Sequence, residues 1–269
     1  MKNPLYFAFL CVFMLVCSLT QAQKPLLDSA SLAEKHTFTS LEDAMINPLE
    51  VYKLDLGGNS NFSKYSKEIT TFGNLVMLDL NNHQIWKLSK EITQLKNLKH
   101  LYLRNCNLAV LPKEMGNLIN LETLYLSENY QPKIISKEIG QLKNLKFLFL
   151  IACNLKILPK EIGSLTNLEM LHLEFNKNLK TLPVEIGQLK NLKILHLRGC
   201  NLKTLPKEIM NLSNLEILHL CNNKQSITFP DEMNRLKNLK ILNLSGTKIS
   251  QKEKVKIKAI LPNCEIRYY

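Results

Sequence analysis

Three histidines are the residues of this chain best equipped for chemistry. His172, His196 and His219 stand 24 and 23 residues apart, and a spacing of that length sets equivalent side chains at one place in successive copies of a repeating unit. Imidazole nitrogens bind zinc at about 2.0–2.1 Å, and Glu174, two residues after His172, adds a carboxylate, so the donor types of a metal site are present. Arg198 stands at the place of Glu174 one unit on and offers it an ion pair, so no metal is expected. Near the reference pKa of about 6.5, stacked imidazoles repel one another once protonated, which predicts a surface whose binding changes in mild acid. A second series, Cys106, Cys153 and Cys200, recurs every 47 residues. That is two strands, about 10 Å in a parallel sheet, beyond the roughly 7 Å that Cα atoms of a disulfide can span. These thiols are expected to be structural. Seven Cys in all, two of them (Cys11 and Cys17) in the apolar N-terminus, exclude a complete disulfide framework. No Gly-rich phosphate loop, Gly-x-Ser-x-Gly elbow or His-Glu-x-x-His helix occurs, so neither catalytic residues nor a cofactor are expected.

The elements that must position the histidines come from one repeating frame. Leu98-Lys-His-Leu101-Tyr-Leu103-Arg-Asn-Cys106-Asn-Leu108 returns with units beginning at Val51, Leu75, Leu98, Leu121, Leu145, Leu168, Leu192, Leu215 and Leu239. Alternation in Leu168-x-x-Leu171-x-Leu173 turns apolar side chains to one face and the residues between them to the other, as a short half-buried strand requires. Because every strand is followed by the same connection, the strands must be parallel, and nine of them make a sheet roughly 40 Å long. Each unit continues with a phrase such as Leu158-Pro159-Lys160-Glu161-Ile162-Gly163-Ser164-Leu165. Pro112, Pro159, Pro183, Pro206 and Pro230, replaced by Ser66, Ser89 and Ser136 in other units, predict an irregular or 3₁₀ turn on the outer side. Three places past the second strand Leu, the series Asn59, His83, Cys106, Asn129, Cys153, Asn176, Cys200, Asn223, Thr247 points inward, where it can donate to turn carbonyls.

This frame resembles the leucine-rich repeat family over residues 51 to about 269. The phrase Leu182-Pro183-Val184-Glu185-Ile186-Gly187-Gln188-Leu189-Lys190-Asn191 is similar to that of the secreted leucine-rich repeat proteins of pathogenic spirochaetes, the leptospiral type, and Ser40 to Val51 is similar to their N-terminal cap. The resemblance implies an α/β repeat solenoid, a horseshoe with a parallel concave β-sheet and irregular or 3₁₀ convex turns. It also implies an interaction role and no enzymatic one.

The flanks complete the expected organisation. Residues 1–22 read as an export signal, with Lys2, an apolar run from Leu5 to Leu19 and small residues before Gln23. No membrane span is expected after its removal, and the mature chain is expected to be secreted or held at the cell surface. Residues 23–50 form an N-terminal cap whose short helix, containing Leu41, Ala44 and Met45, starts at a capping box Thr39-Ser-Leu-Glu42 and stops before Pro48. Nine repeats fill 51–250. Residues 251–269 cap the other end with a charged helix or extended cover and a final strand, since an open end exposes an apolar cross-section.

Binding is then expected on the inner face, where the third, fifth, seventh and eighth residues of each unit are free of the fold. The fifth-place column reads Asp55, Asp79, Tyr102, Tyr125, Phe149, His172, His196, His219, Asn243; the third-place column contains Phe147, Met170, Ile194 and Ile217. With Ile151 and Phe175 these apolar and ring side chains predict a protein-contact patch from Tyr102 to Ile217, facing solvent. A host-cell protein is the partner the resemblance implies. The alternative is an anionic glycan or cell surface on a rim containing Lys96, Lys143, Lys190 and Lys237, a contact that salt would weaken. The chain has 269 residues and a net charge of +12, which on its own suggests nucleic acid. The inner face lacks the Arg and Lys that phosphates require, and the second-place column alternates Lys99, Glu122, Lys146, Glu169, Lys193, Glu216, Lys240, so no nucleic-acid partner is expected.

Overall fold

The computed structural model describes residues 27–58, 67–131, 135–224, 227 and 229–269. The expected signal over 1–22 lies outside these residues, as do Asn59 and Ser66. The chain divides into two units, Met1–Lys35 and His36–Tyr269, so the expected cap of 23–50 falls across both. In the first, the described element is helix α1, Leu27–Glu34. Among the described residues, no helix is long and apolar enough to cross a membrane.

The second unit repeats one step. Its strands are β1 (Thr37–Phe38), β2 (Lys53–Asp55), β3 (Met77–Asp79), β4 (His100–Tyr102), β5 (Thr123–Tyr125), β6 (Phe147–Phe149), β7 (Met170–His172), β8 (Ile194–His196), β9 (Ile217–His219), β10 (Ile241–Asn243) and β11 (Glu265–Arg267). They form one parallel sheet in sequence order. Beneath it the first, fourth and sixth residues of each repeat fill the core: Leu168, Leu171 and Leu173 are fully buried, and Ile162 and Leu165 meet them from the turn side. The turn Lys160–Ser164 is a 3₁₀ helix entered from Pro159 at φ −64°, ψ 146°; Ser89 and Ser136 enter theirs without a side-chain cap. Neighbouring turns pack so closely that a Cβ on Gly163 would lie 2.5 Å from the Glu185 carbonyl oxygen.

Two asparagine ladders satisfy the backbone that this geometry exposes. Inside, Asn176 donates through Nδ2 to the carbonyls of Leu150 (2.8 Å) and Leu173 (2.7 Å), and its Oδ1 accepts from the amides of Cys153 and Leu155 at 3.0 Å each. Asn129 does the same one block earlier. Cys106, Cys153 and Cys200 fill the alternate rungs and donate Sγ–H to the carbonyls of Leu80, Leu126 and Leu173 at 3.0–3.1 Å. All three are free thiols, and burial pushes them up to about 11, 12 and 12, so they stay protonated donors. An outer ladder, unexpected from the sequence, runs through the residue before each unit: Asn120, Asn144, Asn167, Asn191 and Asn214 each donate Nδ2–H to a carbonyl of the preceding repeat at 2.7–2.9 Å.

The ends depart from expectation in detail. Helix α2, Leu41–Ile46, is capped by Ser40, whose Oγ accepts from the Asp43 amide, so the cap sits one residue later than Thr39. The helix that Ser40 caps turns Leu41 and Ala44 into the core. Strand β1 was not foreseen; it pairs with β2 through only two residues. At the far end helix α3, Gln251–Ile260, is capped by Ser250 and buries Ile257, and β11 closes the sheet.

Candidate functional site

Register builds the open face. Because β2 to β10 pair residue for residue, the fifth-place side chains stand in one row: Tyr102 opposite Tyr125, Tyr125 opposite Phe149, Phe149 opposite His172, and on through His196 to His219. Parallel strands lie about 4.7–4.9 Å apart, close to the spacing at which rings pack. The row is therefore an unbroken series of ring contacts. Its centroid separations are 5.8 Å for Tyr102–Tyr125, 3.9 Å for Tyr125–Phe149, 4.8 Å for Phe149–His172, and 4.3 Å for both His172–His196 and His196–His219. Tyr125 and Phe149 are stacked at 13°, and His196 and His219 at 7°.

This packing corrects the expectation that every residue of the row projects into solvent. Phe149 is 3% exposed and Met170 8%: Phe149 is enclosed between Tyr125 and His172, and Met170 stands between Phe147 and Ile194 in the third-place row. Both support the face from within. Tyr102, Tyr125, Phe147, Ile151, His172, Ile194, His196, Ile217 and His219 are half-buried, and Phe175 is the most open of the expected set, at 44%. Phe175 also has φ 62°, a left-handed conformation that Gly and Asn adopt at equivalent places, such as Gly199 and Asn222, and that is strained for a bulky residue.

The electrostatics differ from expectation at Glu174. Its Oε1 accepts from Nδ1 of His172 at 2.9 Å and from Nδ1 of His196 at 3.1 Å. Arg198 instead lays its guanidinium over the Phe175 ring, 5.3 Å from the centroid. Burial favours the protonated acid, yet the two imidazole hydrogen bonds outweigh it and hold Glu174 down at about 2. His219 lacks that carboxylate; burial first, then the neighbouring His196, lower it to about 4. It therefore stays neutral through the mildly acidic range in which all three histidines were expected to charge.

The acidic end of the row carries its own prediction. Asp55 and Asp79 face each other in register. Burial pushes Asp79 up to about 7, helped by the charge of Asp55 and opposed by hydrogen bonds from Asn81. An acid whose folded pKa exceeds its unfolded value near 3.9 keeps its proton longer in the folded state, so stability falls as pH rises from about 4 to 7. Asp79→Asn should remove that loss. Urea unfolding should show the variant more stable than the parent by about 1–3 kcal/mol at pH 8 and nearly equal to it at pH 4.

The rim reading also changes. Lys96, Lys143 and Lys190 reach the last carbonyls of the adjoining turns, at Asn117 (3.2 Å), Ser164 (3.3 Å) and Asn211 (2.9 Å). They act as caps on those turns. In the second-place column the alternating charges pair as expected: Lys146 with Glu122 at 2.8 Å, Lys193 with Glu169 at 2.7 Å and Lys240 with Glu216 at 2.6 Å.

Comparison with known proteins agrees with this architecture. The family described as leucine-rich repeat region matches residues 49–150 and 127–264. No curated protein sequence matches. Among solved structures, a leucine-rich repeat protein of Leptospira interrogans is 26% identical and superposes with a TM-score of 0.52, covering 87% of this chain and 100% of its own. A TDR receptor is 29% identical with a TM-score of 0.66, over 81% of this chain and 38% of the receptor. The leucine-rich repeat domain of the type III effector XopL is 26% identical with a TM-score of 0.60, over 74% of this chain and 70% of its own.

Proposed function

This chain belongs to the leucine-rich repeat family, a fold that typically serves as a non-enzymatic binding scaffold, and from that premise we propose that it binds a protein partner through the open face of its sheet. The observation that carries the reading is the row of rings from Tyr102 to His219, flanked by Phe147, Phe175, Ile194 and Ile217. Aromatic and aliphatic side chains held rigid by their neighbours lose little entropy on binding, which is why such groups dominate contact energies. Phe149 and Met170 support this surface, and the accessible anchors are Phe147, Phe175 and Ile194.

The proposed partner is met outside the cell. The apolar run at 5–19 favours export, and the resemblance to leptospiral repeats favours a host-surface protein. The second reading is an anionic glycan or cell surface on the rim of Lys96, Lys143, Lys190 and Lys237; the first three each give a hydrogen bond to a turn carbonyl and keep their charge.

The test is affinity capture from host-cell surface extracts by the mature chain and by a Phe147→Ser, Phe175→Ser, Ile194→Ser variant. The parent should retain a protein at high ionic strength that the variant loses, with matching circular dichroism. Equal capture by both contradicts the proposal.

A further inference from the structure

We propose that His172, Glu174 and His196 form a binding site for a divalent transition metal of the zinc type. Their ligand atoms lie within 4.8 Å of one another, and two of the separations, 2.9 and 3.1 Å from Glu174 Oε1 to the imidazole Nδ1 atoms, approach the roughly 3.3 Å edge of a tetrahedron with bonds near 2.0–2.1 Å. Two imidazoles and one carboxylate are a known zinc set that leaves a fourth position for water. A metal would take the place of the two Nδ1 protons. Each neutral imidazole then gives up its Nδ1 proton to solvent and takes one up at Nε2, with no net release.

A further observation points to a missing ligand. The second carboxylate oxygen of Glu174, Oε2, is buried with no hydrogen-bond partner among the described residues, a costly arrangement that a divalent cation held by both carboxylate oxygens would relieve. Repetition does not account for the cluster either. The seventh-place column reads Gly57, Asn81, Arg104, Ser127, Ile151, Glu174, Arg198, Cys221, Ser245, so Glu174 is its single acid, and it stands next to Phe175, the strained residue of the following place. By stacking on Phe175, Arg198 leaves the carboxylate to the imidazoles. His219 is outside the set: its ring lies parallel to His196 at 7° and 4.3 Å, so its in-plane nitrogens run alongside those of His196 and do not converge with them.

The test is titration of the mature chain with zinc chloride alone near neutral pH, followed by calorimetry and thermal melting. One equivalent should bind at micromolar or tighter affinity and raise the melting temperature. Glu174→Gln should weaken binding more than about tenfold, His172→Asn with His196→Asn should abolish it, and His219→Asn should leave it unchanged. Absence of binding, or binding that survives the double variant, overturns the proposal. Should the double variant fail to fold, imidazole ¹⁵N spectra of the parent decide: zinc must shift Nδ1 of His172 and His196, and a shift at neither of them overturns the site.

Discussion

Replacing Asn176 with Ala should lower the unfolding free energy by about 3–5 kcal/mol. The side chain is fully buried and makes four hydrogen bonds to main-chain groups of two repeats. Truncation leaves the amides of Cys153 and Leu155 and the carbonyl of Leu150 without this partner, at about 1–3 kcal/mol for each group left unsatisfied. Leu173 retains the thiol of Cys200. Asn176→Asp should be worse still, because it keeps the acceptor, loses the donors and buries a charge. The control is Asn167→Ala on the outer ladder, which removes one exposed bond to Lys143 and should cost about 1 kcal/mol or less. Urea unfolding separates the outcomes. Similar losses for the two asparagines would show that the inner ladder does not hold the repeats together.

The second large effect concerns Phe149. Phe149→Ala should cost about 3–5 kcal/mol, because the ring is 3% exposed and removing it opens a cavity between Tyr125 and His172. Phe175, 44% exposed and at φ 62°, should respond far less: in Phe175→Gly the relief of left-handed strain is offset by lost packing against Arg198 and by the freer unfolded chain, for a net change of about 1 kcal/mol or less. Thermal unfolding of the two variants checks the order. If the order is reversed, Phe149 does not support the face from within.

Periodicity explains how much of this was legible beforehand. A two-residue alternation inside a 23- to 24-residue period dictates parallel strands in register, so the rows Tyr102 to His219 and Phe147 to Ile217 follow from the sequence, as does the inward Asn and Cys ladder. What the sequence does not carry is how neighbours on one face cover each other. Phe149 and Met170 occupy outward places and are nonetheless enclosed, because large side chains on both neighbouring strands, Tyr125 and His172 for Phe149 and Phe147 and Ile194 for Met170, cover them. Glu174 and Arg198 sit at equivalent places one strand apart, which reads as an ion pair until Phe175 draws the guanidinium away. Lys96, Lys143 and Lys190 recur for a reason visible only in three dimensions, since each of these three reaches a carbonyl of the next turn. The outer asparagine ladder was present in the spacing of Asn120, Asn144, Asn167, Asn191 and Asn214, and regular recurrence of a hydrogen-bonding residue just before each strand was the signal that could have found it.

Hydroxyl-radical footprinting of the chain with and without its captured partner tests the central claim most directly, because it reads side-chain accessibility residue by residue. The open-face reading predicts that Phe147, Phe175 and Tyr125 lose reactivity in the complex while Trp86 and Ile157, both exposed and outside the predicted patch, keep theirs. Protection of Trp86 or Ile157 with Phe147 and Phe175 unchanged would contradict it.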